Sequence, residues 1–301
     1  MEKLLVILGP TASGKTSFAV KLADMFKGEI ISADSRQIYK GMDIGTGKDL
    51  HEYKLKNKFI PYHLIDILNP DTDYSVFQFK NDFHTIYKKL NDKNKTSILC
   101  GGTALYIDSI LFNYDMSQIA PSKKMRKELE ELSIEKLKDK LLSINKELYD
   151  ENFHITKRRI IRTLEISNSQ NGTINPCIDK VINNPLVLGM DVERETILIN
   201  IKNRLLQRLE NGMIEEVQGL INNGMTLDRL RYFGLEYKFI GQYIFNEISY
   251  DDMVSSLNTA INRFSKRQMT FFRRMEKWGM KIHWIKPKSI DKAIELVNNY
   301  L

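Results

Sequence analysis

Apolar residues recur along this chain with two different periods, and the switches between them mark out its elements. Leu4 to Leu8 is an unbroken apolar run that stops at Gly9, the pattern of a strand buried on both faces. A helix is predicted from about Gly14, running through Phe18, Val20 and Leu22. Glu29 to Ala33 (EIISA) reads as a second strand, His63 to Leu68 (HLIDIL) as a third and Ser97 to Cys100 as a fourth. Phe79 to Leu90 has helical spacing before that fourth strand. Strands alternating with helices over the first third of the chain predict a parallel sheet with right-handed crossovers.

Past Pro121 the texture changes. Residues 122 to 168 are rich in Lys and Glu at helical spacing and show no clear strand. Leu186 to Val192 (LVLGMDV) returns to strand character, residues 195 to 278 are almost wholly helical, and His283 to Lys286 closes with a short strand. The expected fold class is α/β. Residues 1–120 and 186–301 form a parallel-sheet core with C-terminal helices, and residues 121–185 form a helical insertion domain.

Composition narrows this picture without naming a function. Of 301 residues, 42% are hydrophobic and 28% charged, close to the average for a packed globular chain. No segment approaches the roughly 18 to 20 uninterrupted apolar residues of a membrane-spanning helix, so no membrane partner is expected. The start, MEKLLVILGP, has the length of a secretion signal's apolar part. It runs straight into a glycine-rich turn, however, and reads as the buried first strand. The two cysteines, Cys100 and Cys177, are too few for a disulfide framework and lack zinc-site spacing. Reduced thiols and a cytoplasmic location are the expectation. A formal net charge of +7 points toward an acidic partner, nucleic acid first, provided the basic residues cluster.

The most specific chemistry follows the first strand. Gly9-Pro10-Thr11-Ala12-Ser13-Gly14-Lys15-Thr16 fits GxxxxGK[ST] between a strand and a helix, which is the context a P-loop requires. This makes the expected core P-loop NTPase-like. Backbone N–H groups of such a loop and the helix N-terminus surround phosphate oxygens. Lys15 would add a point charge, and the Thr16 hydroxyl would be a Mg²⁺ ligand. The alternative is a glycine turn that only joins strand to helix. A P-loop names a phosphate ligand and not a reaction. Its usual companion is a hydrophobic strand ending in a Mg²⁺-binding Asp, but Ser97 to Thr103 (SILCGGT) ends in glycines and a threonine. Asp34 instead closes the EIISAD strand. Strand ends of a parallel sheet share one edge, so Asp34, Thr103, Lys15 and Thr16 are predicted to share one cleft. The other reading of Asp34 is a helix N-cap.

Further blocks extend the pattern: ISADSRQIYKGMDIGTGK, HLIDILNP, YSVFQF, GGTALYI, GMIEEV, ISYDDM and KRQMTFFR. Together with the P-loop they touch most of the chain and resemble the tRNA dimethylallyltransferase (tRNA isopentenyltransferase) family. The DSRQ and GGT blocks are far more specific than the P-loop alone. The resemblance implies a core related to nucleotide kinases that is not a kinase. It implies transfer of a dimethylallyl group from dimethylallyl diphosphate to the exocyclic amine of the adenine just 3′ of the anticodon. Mg²⁺ assists, and the flipped-out base meets the donor inside a channel. Carried onto this sequence, Asp34 resembles the general base, with Thr103 and Lys15 beside the reacting centre. Gly9, Thr11, Ala12, Ser13, Gly14, Lys15 and Thr16 would hold the diphosphate. Asp34, Ser35, Arg36, Gln37 and Thr103 would contact the flipped adenine, and Arg126 would lie on the tRNA side. The implied partners are the tRNA anticodon loop and dimethylallyl diphosphate, with no obligate protein partner evident.

The residue types suit that chemistry. An aromatic amine is a poor nucleophile, so a carboxylate placed to take its proton helps as charge builds. A diphosphate leaving group needs its developing charge neutralised. Three departures stand out: FHITK at 153–157 keeps His154 and carries Thr156 but lacks the family's acidic residue, Asn200 stands where an arginine is expected, and Leu235 replaces the usual tyrosine after Gly234.

A basic stripe completes the set. At 100° per residue, Arg263, Lys266, Arg267, Thr270, Arg273, Arg274 and Lys277 fall on one side of a helix. Phe264, Phe271, Met275 and Trp278 fall on the opposite side, which predicts a helix docked by its aromatic residues. Arg158, Arg159 and Arg162 form a second cluster on the insertion. RNA backbone phosphates are the natural partners of both, so Arg158, Arg159, Arg162, Lys266, Arg267, Gln268, Thr270 and Arg273 join the expected tRNA-binding residues. The alternative is a solvated amphipathic face. Three other functions fit part of the chain: a small-molecule phosphotransferase, an adenylate isopentenyltransferase, and a P-loop nucleic-acid binder without chemistry. DSRQ and the basic helix oppose the first, the second needs neither the basic helix nor the insertion, and the third leaves Asp34 unused.

Overall fold

The computed structural model describes residues 3–55, 57–112, 122–144, 156–168, 182 and 184–301. The chain forms two compact units, Met1–Asn113 with Lys180–Leu301, and Tyr114–Asp179. In the first unit the strands are β1 (Leu4–Leu8), β2 (Gly28–Ser32), β3 (Lys54–Leu55), β4 (Lys58–Phe59), β5 (Tyr62–His63), β6 (Thr96–Gly101), β7 (Leu186–Met190) and β8 (Ile282–Ile285). Six of them make one sheet in the order β5-β2-β6-β1-β7-β8, all parallel, while β3 and β4 pair as a small antiparallel ribbon. The central β1 pairs with β6 on one side and β7 on the other. Its residues alternate between two cores. Leu4, Val6 and Leu8 belong to one, and Leu5 and Ile7 to the other. A strand covered on both faces has no polar side to show, which accounts for the unbroken apolar run.

The first unit's helices before the insertion are α1 (Lys15–Met25), α2 (Val76–Asp92) and α3 (Ala104–Leu111). α2 begins at a capping box. The Ser75 side chain accepts from Gln78 N at 3.2 Å, and Ser75 N donates to Gln78 Oε1 at 2.8 Å, so part of the YSVFQF block is a helix start. In the second unit, α4 (Lys123–Glu130), α5 (Ile134–Ile144) and α6 (Lys157–Asn168) close around Leu129, Leu137, Leu141, Ile160, Ile161 and Leu164. Returning to the first unit, α7 (Arg194–Glu210), α8 (Met213–Asn222), α9 (Leu227–Phe233), α10 (Leu235–Ile244) and α11 (Tyr250–Lys277) follow β7. A closing helix, α12 (Ile290–Tyr300), was not expected from the pattern; it buries Ala293 and Val297 in the Leu5–Ile7 core. Among the described residues no helix is long and apolar enough to cross a membrane. His154 and Cys177 lie outside the described residues.

The expected third strand over His63–Leu68 needs correction. Only Tyr62–His63 joins the sheet, with Leu68 making an isolated bridge to Tyr39, because Leu64 (φ +61°) and Asp66 (φ +56°) take left-handed conformations that break a strand. The segment clasps the DSRQ turn instead: Asp66 N donates to Gln37 O at 3.1 Å and Ile67 N to Ile38 O at 2.8 Å. Lys48, 1% exposed, holds this corner together through Tyr39 O at 2.7 Å, Asp43 at 2.5 Å and Asp66.

Candidate functional site

The C-terminal edge of the sheet carries a cavity of about 490 Å³. On one side stands the loop between β1 and α1. Gly9 lies so close to β7 that a Cβ there would meet Met190 Cβ at 2.9 Å, and Ala12 (φ +62°) and Gly14 (φ +77°) are left-handed. Thr11, Ala12, Gly14, Lys15 and Thr16 line the cavity, while Ser13 is buried.

Asp34 stands two residues beyond the end of β2. Its Oδ1 accepts from Arg36 N at 2.9 Å, and the chain then enters a turn and no helix, so the N-cap reading of Asp34 does not hold. Thr103 braces the same turn from β6: its Oγ1 accepts from Ser35 N at 3.0 Å, and its own N–H donates to Ala33 O at 3.1 Å. The two glycines of the GGT block are needed for this closeness. A Cβ on Gly101 would collide with the Ala33 carbonyl, and one on Gly102 would meet Gln268 Nε2 at 2.5 Å. Gln37 is fixed at both ends of its amide, by Ser32 Oγ at 3.1 Å and by Gly47 O at 2.9 Å. Asp34, Ser35, Arg36, Gln37 and Thr103 all line the cavity.

Helix α11 supplies a third wall. Gln268 is buried; its Oε1 accepts from Thr11 N at 2.9 Å and its Nε2 donates to Gly102 O at 2.7 Å, tying the P-loop to the β6–α3 turn. The expected docking face of Phe264, Phe271, Met275 and Trp278 holds in part: Met275 is buried and Phe271 packs half-buried against the core. The buried stripe of α11 is Ile261, Ser265, Gln268, Phe272 and Met275, whereas Phe264 and Trp278 are 38% and 49% exposed. At 100° per residue these aromatics stand roughly 60–100° round the helix from that stripe. They share their strip with cations: the Arg274 guanidinium lies 4.1 Å from the Phe271 ring and 4.5 Å from Trp278, and Arg267 lies 6.0 Å from Phe264. Phe264, Arg267 and Phe271 line the cavity, while Lys266, Thr270 and Arg273 are exposed outside it. A second hollow of about 470 Å³ between α10 and α11 is bordered by Lys238, Arg263, Ser255 and Thr259, and it shares Leu235 and Arg267 with the main cavity.

Sequence reasoning missed the contribution of α7. Asn200 Nδ2 donates to Ala12 O at 3.1 Å, Arg204 Nη2 donates to Thr11 Oγ1, and Arg208 pairs with Asp49 at 2.9 Å. Arg204 and Arg208 line the cavity. The three residues recur at i, i+4 and i+8 beside a buried Ile197–Ile201–Leu205 stripe, roughly 60° round the helix from it, a polar row that was available to be read. Burial, then the neighbouring Arg208, brings the Arg204 pKa down to about 10, against the pull of Glu236, Asp49 and Glu52; it stays cationic at neutral pH. Burial lowers the Lys15 pKa, opposed by Cys100 and Asp34. It raises those of Glu52 and Glu236 and pushes the Cys100 thiol up to about 12. Lys15, Arg204 and Arg208 all line the cavity, a basic set of the kind that suits an anionic ligand.

Among the described residues no cluster of three or more His, Cys, Asp or Glu could hold a metal unaided. The Thr16 hydroxyl lines the cavity, and Mg²⁺ takes few protein ligands when phosphate oxygens and water supply the rest. The donor set therefore fits Mg²⁺ bound with a phosphorylated ligand. In the second unit, Arg126 and Arg162 pair with the buried Glu165 at 2.8 and 3.3 Å, while Arg158 and Arg159 are exposed.

Comparison with known proteins agrees across the chain. The IPP transferase family model matches residues 37–275. The chain is 44% identical over 305 residues to tRNA dimethylallyltransferase 1 of Azobacteroides pseudotrichonymphae, covering 98% of this chain and 97% of that protein. It is 46% identical over 284 residues to tRNA dimethylallyltransferase 2 of Bacteroides fragilis, covering 94% and 92%. Among solved structures, the tRNA isopentenylpyrophosphate transferase of Bacillus halodurans aligns with a TM-score of 0.71 at 29% identity, over 100% of this chain and 97% of that one. A eukaryotic dimethylallyltransferase acting on tRNA shares the fold at a TM-score of 0.79 and 20% identity, over 99% of this chain and 79% of that one. This chain belongs to the IPP transferase family.

Proposed function

We infer that this protein transfers a dimethylallyl group from dimethylallyl diphosphate to the exocyclic amine of the adenine 3′-adjacent to the anticodon in tRNA. The observation that carries the reading is one cavity lined both by Asp34 and Thr103 and by the basic residues Lys15, Arg204 and Arg208. The P-loop residues Gly9 and Thr11 to Thr16 hold the diphosphate, and the Thr16 hydroxyl would hold a Mg²⁺ that accompanies it. When bound, the metal helps neutralise charge on the departing diphosphate. Asp34 takes a proton from the adenine amine as the new C–N bond forms and the allylic C–O bond breaks. Its Oδ1 is committed to Arg36 N, which leaves Oδ2 for the amine.

The base must leave its stack to enter, and Arg36 and Gln37 read its edge. The exposed cations Lys266 and Arg273, with Thr270 and Arg267, take backbone phosphates and set register without reading sequence. Arg158 and Arg159 do the same from the insertion, whereas Arg126 and Arg162 act from their pairing with Glu165. The protein works in the cytoplasm, where its tRNA is. The experiment is incubation with labelled dimethylallyl diphosphate and, separately, tRNA, AMP or no acceptor. Label enters tRNA alone, without ATP consumption; comparable labelling of AMP, or ATP use that tracks product, refutes the assignment.

A further inference from the structure

Residues Asp43 to Asp49 form a turn that gives Gly45, Thr46, Gly47 and Asp49 to the cavity wall, and it is held from the far half of the chain. The Glu216 carboxylate of α8 accepts four hydrogen bonds. Oε2 takes Asp43 N and Ile44 N, each at 2.7 Å, and Oε1 takes Gly45 N at 3.0 Å and the Tyr237 hydroxyl at 2.7 Å. Three successive backbone N–H groups converging on one anion make a nest, here filled by the protein's own side chain. Gly45 allows it, since a Cβ would meet the Tyr237 ring at 2.7 Å.

The turn passes this constraint on. Gly47 N donates to Ile44 O and Lys48 N to Asp43 O, each at 3.1 Å. The Gly47 carbonyl then accepts from Gln37 Nε2 at 2.9 Å, while Ser32 Oγ donates to the other end of that amide. Gln37 is thus oriented between β2 and a turn whose shape Glu216 sets. On its other side the turn packs Gly47 against the Arg208 guanidinium and pairs Asp49 with it.

We propose that Glu216 is a positioning residue for the transfer reaction. By filling the nest at 43–45 it fixes the Gly47 carbonyl, which orients Gln37 for the acceptor base. The inference rests on the reading of Gln37 as an adenine contact. Glu216 itself is not among the residues that line the cavity. Loss of its carboxylate frees three N–H groups at once and lets the turn relax, so the acceptor side suffers before the donor side does.

The test is a double-mutant cycle with kinetics for both substrates. Glu216→Ala should lower kcat/KM for tRNA about tenfold, with the donor KM within about twofold of wild type. Glu216→Gln should recover part of this, because its carbonyl oxygen still serves two N–H groups. Gln37→Ala and Glu216→Ala/Gln37→Ala should agree within about twofold, since one acts through the other. Additive losses in the double variant, or an unchanged kcat/KM in Glu216→Ala, overturn the proposal. If Gln37→Ala alone leaves tRNA kinetics intact, the adenine contact itself is wrong and the proposal falls with it. If Gln37→Ala costs about tenfold and Glu216→Ala costs nothing, only the role of Glu216 is lost. Should Glu216→Ala fail to fold, Glu216→Gln and Tyr237→Phe, which removes one of the four bonds, carry the same comparison.

Discussion

Replacing Gln268 separates two roles that α11 could give it. Both ends of its amide are engaged inside the protein, with Thr11 N at 2.9 Å and Gly102 O at 2.7 Å. In Gln268→Ala the cavity admits water to both backbone groups, so the loss is two net hydrogen bonds, about 1–3 kcal/mol in total. Gln268→Leu keeps most of the volume but presses methyl groups against a buried N–H and a buried carbonyl. Each then goes unsatisfied at about 1–3 kcal/mol, roughly 2–6 kcal/mol together. The better-filling residue is therefore the worse one, the reverse of an ordinary core site. Thermal unfolding followed by circular dichroism gives the order, and steady-state kinetics give its consequence: the P-loop loses its anchor, so the donor KM rises. The slope of log tRNA affinity against log salt stays as in wild type, because no phosphate contact is removed. A Gln268→Leu protein at least as stable as Gln268→Ala refutes the argument. So does a changed salt slope with an unchanged donor KM, which would return Gln268 to the tRNA surface.

Asp34→Asn should lower kcat by about two to four orders of magnitude, the range for a positioned acid–base group, with dimethylallyl diphosphate binding little changed; near-normal turnover would refute a proton-accepting role. Lys266→Glu and Arg273→Glu should raise the KM for tRNA and leave the donor KM alone. The single neutralisation Arg273→Ala should flatten the salt slope by about one unit or slightly less, and an intact slope in a folded variant would make the stripe a solvated face. The Cys100 thiol, pushed up to about 12 by burial, stays protonated at pH 8, where its thiolate fraction is only about one in ten thousand. Native protein should therefore resist iodoacetamide at Cys100 until unfolded, as peptide mapping can show; rapid native labelling there would contradict the burial.

What could be read from the sequence was local. The P-loop announces itself because eight consecutive residues carry both the motif and the turn, and the unbroken Leu4–Leu8 run follows from a strand covered on both faces. HLIDIL misled because apolar spacing cannot show that Leu64 and Asp66 take left-handed φ, a choice imposed by the DSRQ turn they clasp. Phe264 and Trp278 were misplaced for a related reason. Helical phase is calculable, but which arc is buried depends on neighbours distant in sequence, and here Ile261, Ser265, Gln268, Phe272 and Met275 won it. Arg204 and Arg208 were visible as a polar row, yet only β7 lying beside β1 brings α7 to the P-loop. Asn200 shows the same limit: its departure from arginine is plain in the sequence, while its bond to the Ala12 carbonyl is not.

The central position of β1 has a consequence for how the protein is made. β1 is translated well before its partners β6 and β7, and Thr11 receives its partner Gln268 from 257 residues downstream. At about 5–20 residues per second, roughly 13–50 s of translation separate the two. Through that interval the nascent chain carries the apolar Leu4–Leu8 segment without its final neighbours, a natural client for chaperones. Contacts this distant in sequence also slow folding in solution. A cavity wall that joins Thr11 to Gln268 therefore comes into being only once Gln268 has been translated, so shorter nascent chains lack a finished cavity.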